Sequence, residues 1–360
     1  MVTPRLSPLD RKMLRDLRGL WGQALAIALV IAAGVAMYVM SQGMLATLGQ
    51  TRDAYYERQA FAHVFAPLKR APNAVAQRLA RLPGARRVET RIRKPVILDM
   101  PGLAEPAAGV VMSYPTGDAP ALNRLRLVAG RWLDPARAEE ALVSDAFAEA
   151  HGLGPGDGIT VLMGGRKRTL AIAGVAMSPE YIYAIAPGAL VPDNRRFGVL
   201  WMGRDAVEAA FDMSGAFNEA LFTVQPGRRA EDLIAAADRV LEPHGGTGAF
   251  GREHQVSNWY VTGEMKQLVN MGRMIPPIFL GVAVFLLNIA IGRWVEMERS
   301  EIGLLKAFGY STTQVTAHYL KLVTAIVAGG VILGFGGGAW LGRGLAGLYQ
   351  DFFRFPFLHY

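Results

Sequence analysis

Three stretches of this chain are apolar and free of charge. Gly19 to Thr51 holds no charged residue, Met274 to Gly292 lies between Arg273 and Arg293, and Leu322 to Gly342 lies between Lys321 and Arg343. Each is close to or above the roughly twenty apolar residues that a helix needs to cross a bilayer. The pattern predicts membrane helices over residues 20–45, 273–295 and 321–348. Residues 46–272 have ordinary soluble composition, enough for one folded domain or two small ones. The expected fold class is an α-helical membrane protein with three transmembrane helices and a large α+β extracytoplasmic domain inserted between helices 1 and 2. A mean hydropathy of +0.21 over 360 residues, 51% of them hydrophobic, agrees with that class.

The charges flanking the apolar stretches predict orientation. Arg5, Arg11, Lys12, Arg15 and Arg18 precede the first stretch, against Asp10 and Asp16, and place this end in the cytoplasm. The large domain then lies outside. The loop bearing Arg293, Arg299, Lys306 and Lys321 returns to the cytoplasm, and residues 349–360 form a short extracytoplasmic end. No small-x-small cleavage site closely follows the first stretch, so it reads as a retained anchor. Residues 1–19 read as an interfacial amphipathic helix. Ser7-Pro8-Leu9-Asp10 opens it, and Leu6, Leu9, Met13, Leu17 and Trp21 form its apolar stripe, with a basic face toward lipid headgroups.

The outer domain reads as mixed strands and helices. Phe61 to Phe65 predicts a strand, and Asn73 caps a helix carrying Val75, Leu79 and Leu82. Val88 to Met100 reads as extended, with an edge or bend at Pro95, and Val110 to Tyr114 as a further strand. This βαββ run suggests a small α+β unit. A second unit begins at Glu140 to Ser144, continues through a helix ending near His151-Gly152, and turns over Gly152 to Gly158. Ile159 to Met163 and Thr169 to Val175 predict a hairpin around Gly164-Gly165. Ala220 to Val224 and the helix Glu231 to Leu241 return to the first unit. From Asn258 to Arg273 the helical pattern runs into the second apolar stretch, which would carry motion of the outer domain into the membrane.

Candidate chemistry is sparse. With no cysteine there is no disulfide, thiolate metal site or cysteine nucleophile. His244 and Glu253-His254 have no zinc-site spacing, and Ser144 and Ser178 lack a nucleophile elbow. No Gly-Lys dipeptide occurs, so the chain carries no Walker A loop. No catalytic residue, metal or cofactor is expected. The net charge of +8 reads as membrane flanks and a basic surface, with no nucleic acid as partner.

Within the membrane segments, Pro276-Pro277 reads as the opening of the second helix, and Asn288 as a buried amide bonded to another helix or to its own backbone. Gly330, Gly334, Gly338, Gly342 and Ala346 recur at every fourth position of the third. That small-residue ridge predicts a close helix–helix contact, within the subunit or across a dimer.

The segment after the second membrane helix carries the strongest motif. Glu298, Glu301-Ile302-Gly303, Leu305-Lys306 and Phe308-Gly309 mix charge with a helical apolar pattern over residues 296–320. With Gln314 and the next apolar helix, this resembles the FtsX-like permease domain of ABC transporters. Glu140 to Ser144, followed by His151-Gly152-Leu153-Gly154-Pro155-Gly156-Asp157, resembles the MacB-type periplasmic core domain.

The resemblance implies a permease subunit of the bacterial inner membrane that works by mechanotransmission with a separate cytoplasmic ABC ATPase. The expected partners are that ATPase, a second or related permease subunit, a periplasmic adaptor or envelope protein, and membrane lipids. The substrate class implied is a lipid, lipoprotein or other envelope substrate. In this reading Glu298, Glu301, Ile302, Gly303, Leu305, Lys306, Phe308 and Gly309 form the ATPase-coupling site, and Gly330, Gly334, Gly338 and Gly342 the helix-packing site. The family pattern continues into a fourth membrane helix beyond the third, so the sequence ending at Tyr360 reads as a fragment. The competing reading is a membrane-anchored sensor or scaffold, against which the short return loop counts; a membrane-embedded hydrolase would need paired catalytic groups in the apolar helices, and they have none.

Overall fold

The structure, a computed structural model, describes residues 8–115 and 120–357. It begins with α1 (Pro8–Gly19), α2 (Trp21–Arg58), β1 (Val64–Pro72), α3 (Ala74–Ala80), β2 (Ala85–Arg91), β3 (Arg93–Asp99), β4 (Ala107–Tyr114) and β5 (Arg126–Gly130). Then come β6 (Glu140–Ser144), α4 (Asp145–His151), β7 (Gly158–Met163), β8 (Arg166–Met177), β9 (Phe197–Gly203), α5 (Arg204–Ala210), β10 (Ala216–Val224), α6 (Ala230–Leu241) and the short β11 (Phe250–Gly251). Three helices follow: α7 (Val256–Met297), α8 (Arg299–Ala307) and α9 (Thr312–Phe352). Two compact units result. One holds the described residues up to Gly49 with Glu264–Leu348, the other Gln50–Gly263 with Tyr349–Phe357.

The first unit is helical. α2, α7 and α9 contain 38, 42 and 41 residues, and each is long and apolar enough to cross a membrane. At a rise of about 1.5 Å per residue each is about 60 Å long, twice the ~30 Å apolar layer of a bilayer. α2 has two packing faces. Gly34 lies close to Phe279 and the Pro276 carbonyl of α7, and Ile27 and Ile31 pack with Ala283. Its other face meets α9. Pro276 and Pro277 do not open a helix: α7 is already running from Val256, and both prolines are interior to it. They deprive the carbonyls of Gly272 and Arg273 of their helical donors. Asn288 lies on the exposed side of α7, and neither expected hydrogen bond forms among the described residues.

The second unit holds two sheets. An antiparallel four-stranded sheet has the order β11-β1-β10-β2. α3 and α6 cover it through Val75, Leu79, Leu233, Ala237 and Leu241, which pack on Val64, Ala66, Phe217 and Phe222. β1 begins at Val64 rather than Phe61, because Ala60 (φ 49°) turns the chain there. Asn73 occupies the N-cap position of α3 in a helical conformation and makes no cap bond; its Oδ1 accepts from Arg204 instead.

The other sheet follows the order β5-β8-β6-β9-β4-β3-β7, and β7 also pairs with β8. Six strands, β8-β6-β9-β4-β3-β7, therefore close a ring of hydrogen bonds, with β5 added outside. β8 makes this possible by its length. Arg166–Ala171 pair with β7, and the remainder pairs with β6 and β5. The Gly164-Gly165 turn between β7 and β8 has positive φ at both residues, the conformation of a tight two-residue hairpin. The interior is filled by Ile92, Leu98, Val111, Val143, Phe147, Val161, Ile172 and Leu200.

The expected βαββ unit is split between these sheets. The extended run from Val88 crosses at buried Ile92 from one sheet to the other, fixed there by bonds between its backbone and Ser113. β3 and β4 belong to the ring. Pro95 pairs with Val110 on one side only, since the pairing to β7 starts at Ile97.

A buried ion cluster ties the strands near the crossing. Arg91 donates from Nη1 and Nη2 to both oxygens of Glu180 at 2.5 and 2.6 Å, and from Nε to Glu219 at 2.5 Å. Burial alone would raise Glu180, but the Arg91 charge and hydrogen bonds hold it below the usual carboxylate range.

Candidate coupling site and helix ridge

α7 ends at Met297, Glu298 sits in the cap position, and α8 follows. The end of α8 is built by Gly309, whose φ of +92° suits glycine. Gly309 N–H donates to the Lys306 carbonyl and Tyr310 N–H to that of Leu305, the bond pair of a Schellman stop. Two residues later α9 starts with reciprocal capping: Ser311 Oγ accepts from Gln314 N–H, and Gln314 Oε1 accepts from Ser311 N–H. α8 is thus a short helix bounded at its C-terminal end by fixed turns.

Its two sides differ. Ile302 and Leu305 pack against a cluster of Trp294, Val315, Tyr319 and Leu322, which Met13 and Leu17 of α1 join. Gly303, Leu304, Lys306, Phe308 and Gly309 are exposed, and Phe308 is 75% accessible. The expected apolar set of Ile302, Leu305 and Phe308 is therefore divided. Two residues are occupied by α1 and α9, and the outward apolar pair is Leu304 with Phe308, one turn apart.

The acidic residues are held by a residue absent from the sequence reading of this site. Lys12 of α1 donates to Glu298 Oε2 at 2.8 Å and Glu301 Oε2 at 2.6 Å, with Asp16 at 3.2 Å. Tyr319 OH also donates to Glu298. Burial lowers the Lys12 ammonium, but its bonds to Glu298, Glu301 and Asp16 prevail and raise it. Lys12 holds the Glu301 carboxylate below its usual range. The basic face expected to meet headgroups therefore loses Lys12 to this bridge, and Trp21 leaves the apolar stripe with 67% exposure. Ser7 and Leu6 lie outside the described residues.

Replacing Lys12 with methionine is expected to free α1 and cost about 2 kcal/mol, the scale of hydrogen bonds to charged groups. Trypsin should then cut sooner at Arg11, Arg15 and Arg18 in the full chain, and Lys12→Arg should restore protection. Equal cleavage of wild type and Lys12→Met would show that the bridge does not fix α1.

The glycine ridge of α9 faces α2. A Cβ built on Gly330 would lie 2.8 Å from the Ala28 carbonyl, one on Gly334 2.6 Å from Val35 Cβ, and one on Gly338 2.7 Å from the Ala36 carbonyl. Gly342 and Ala346 are buried further along. α2 answers with Ala28, Ala32 and Ala36, a matching four-residue spacing that reveals this partner once the two helices are aligned. The ridge contact shown is within the subunit.

Among the described residues no group of three His, Asp or Glu side chains could hold a metal. The β-rich unit contains a cavity of about 360 Å³ walled by Phe65 stacked on Phe250 and Tyr183 stacked on Tyr260, with Arg93 at its side.

Two family models match the chain. The MacB-like periplasmic core domain covers residues 23–242, and the FtsX-like permease C-terminal covers residues 273–360. No curated protein matches it. Among solved structures, the periplasmic region of MacB from Actinobacillus actinomycetemcomitans is 10% identical, with a TM-score of 0.34, over 57% of this chain and 92% of that one. The extracellular domain of the noncanonic ABC-type transporter YknZ from Gram-positive bacteria is 12% identical, with a TM-score of 0.34, over 53% and 98%. A domain of a permease protein from Porphyromonas gingivalis is 16% identical, with a TM-score of 0.30, over 55% and 95%. With the two family-model matches and three helices long and apolar enough to cross a membrane, the chain belongs to the FtsX-like, MacB-type family of ABC transporter permeases.

Proposed function

We propose that this permease subunit converts ATP hydrolysis by a separate cytoplasmic ATPase into movement of its extracytoplasmic domain. In this reading residues 20–45, 273–295 and 321–348 occupy the apolar layer of a bacterial inner membrane. The N-terminus and residues 296–320 face the cytoplasm, and residues 46–272 lie outside. A second copy or a related permease completes the pair, and the cargo is a lipid, lipoprotein or other envelope substrate.

The observation that carries the proposal is the division of α8. Ile302 and Leu305 anchor one side to the helical unit, while Leu304 and Phe308 remain exposed beside Glu301 and Lys306. An apolar pair ringed by charge suits docking in a protein groove. Anchoring on the opposite side lets a push on α8 reach α1 and α9 rather than dissipate.

The absence of native cysteine makes the test clean. Single cysteines at Leu304 and Phe308 should crosslink to a Walker-containing ATPase co-purified from the native membrane, and one at Ile302 should not. Phe308→Asp should weaken ATPase association at least about tenfold, since burial of a phenylalanine side chain contributes roughly 1.5–3 kcal/mol. Recovery of no ATPase, or equal crosslinking at Ile302, would overturn the proposal.

A further inference from the structure

The β-rich unit contains a second cavity, of about 450 Å³, whose lining includes Tyr56, Phe61, His63, Arg86, Arg87 and Arg252. What distinguishes it is unpaired positive charge. Arg252 is mostly buried, and its guanidinium lies 5.3 Å from the Tyr56 ring centre and 4.9 Å from that of Phe61. It spends Nε on the Ala62 carbonyl at 2.9 Å and Nη2 on the Phe61 carbonyl. Among the described residues no carboxylate lies within 4 Å of Arg252, Arg86 or Arg87.

A buried cation without a counter-ion is costly, and proteins keep such groups paired. The two carboxylates on the lining do not supply the pair. Asp53 is exposed and bonded to Arg52, and Glu57 is exposed.

The remaining polar lining also donates. His63 Nδ1 accepts from Val224 N–H, which leaves the proton on Nε2. Thr223 Oγ1 is buried without a partner among the described residues, and Thr223 stands directly opposite Arg87 across the β10–β2 pairing. Asp53 and Glu253 act on Arg252 only through space, with no ion pair to it among the described residues, and Arg52 opposes them. Burial, then Arg252 and Arg86, hold the His63 imidazole below its usual range, and burial pushes Arg252 down to about 10.

We propose that this cavity binds a small organic oxyanion, a phosphate or carboxylate, with Arg252 at its buried wall and Arg86 and Arg87 at its exposed side. The guanidinium groups supply the charge, His63 Nε2–H and Thr223 Oγ1–H supply neutral donors, and Tyr56 and Phe61 form an apolar wall. The volume exceeds that of a bare phosphate and accommodates an attached organic group. Such an anion could come from a soluble metabolite or from a phospholipid headgroup.

The test uses the full chain in neutral detergent micelles, titrated calorimetrically with glycerol 3-phosphate and, as a neutral control, glycerol. Saturable binding of glycerol 3-phosphate alone is expected. The doubly substituted Arg86→Gln, Arg87→Gln chain should bind at least about tenfold more weakly, the scale of one lost charged hydrogen bond. Arg252→Gln should abolish binding. Because Arg252 also holds two backbone carbonyls, the exposed Arg86 and Arg87 pair gives a variant whose folding is not at stake. No binding by the wild type, or undiminished binding by the double variant, would overturn the proposal. Once binding is seen, displacement by phosphatidylglycerol but not phosphatidylcholine in the micelle assigns the lipid source, and no displacement assigns the soluble one.

Discussion

Leucine at Gly334 will prevent α9 from seating on α2. The new Cβ alone would sit 2.6 Å from Val35 Cβ, 2.7 Å from the Ala32 carbonyl and 3.0 Å from Ala32 Cα. Two of those three atoms are backbone, which cannot rotate away as a flexible side chain can. Overpacking of a close-packed contact costs typically 1–3 kcal/mol when side chains can adjust. Here the helices themselves must part, so the expected cost is at or above about 3 kcal/mol. Gly338→Leu should behave alike, because its Cβ would meet the Ala36 carbonyl at 2.7 Å. Gly336→Leu is the control. Nothing lies within 4 Å of its Cβ position, so the change should be neutral within about 0.5 kcal/mol. The measurement is the apparent melting temperature of the full chain in detergent, with size exclusion to detect loss of the folded species. A melting temperature for Gly334→Leu equal to that of Gly336→Leu would remove the ridge contact.

The second large effect is expected at Arg91. Arg91→Met leaves Glu180 and Glu219 buried without the guanidinium that bonds them both. Breaking a buried pair by removing one partner costs about 3–5 kcal/mol. Replacing all three residues with apolar ones of similar size should cost much less, because the buried carboxylates go with their cation and Arg93, which also acts on them, is exposed. Denaturant unfolding of the full chain distinguishes these cases. A triple variant as unstable as Arg91→Met would show that the cluster contributes through shape rather than charge. The same cluster predicts an acid response. Glu180 is depressed in the folded state, so its contribution is fully present above the unfolded value of about 4.3. It is lost as pH falls from there through the depressed folded value. Arg91→Met should flatten that part of the stability profile.

Which parts of this molecule were readable follows from how local their causes are. An uncharged run of sufficient length is a property of one segment, and α2, α7 and α9 contain the three that the pattern marks. The α6 stripe of Leu233, Ala237 and Leu241 and the Gly164-Gly165 turn are equally local. Sheet membership is not. The run from Val88 to Met100 reads as extended chain, and nothing in it says that the partners change at Ile92. Arg91 looks like a surface charge in sequence, because its two carboxylates lie 89 and 128 positions away.

At α8 the difficulty is different. α8 carries two apolar pairs, Ile302 with Leu305 and Leu304 with Phe308, and periodicity alone ranks neither. The choice is made by α1 and α9, which supply Met13, Leu17, Val315 and Leu322 on one side. The role of Lys12 at α8 is illegible for the same reason: its partners, Glu298 and Glu301, lie 286 and 289 positions away. The helical pattern from Asn258 to Arg273 already places the prolines at 276 and 277 inside a running helix, although proline chemistry on its own favours a helix start.

The closed ring of six strands bears on how the β-rich unit avoids pairing with other chains. A strand with an unpaired edge is a template for another chain, and aggregation begins there. Closure through β7 and β8 leaves within the ring only the short one-sided stretch of β3 before Ile97, which Pro95 interrupts. The edges that remain are β5, β2 and the two-residue β11. β2 carries Arg86, Arg87, Glu89 and Arg91 along its length, and β11 is too short to nucleate pairing. Charge and brevity thus guard two of the three exits, which leaves β5, with its exposed Val128, as the place where self-association of this domain would begin.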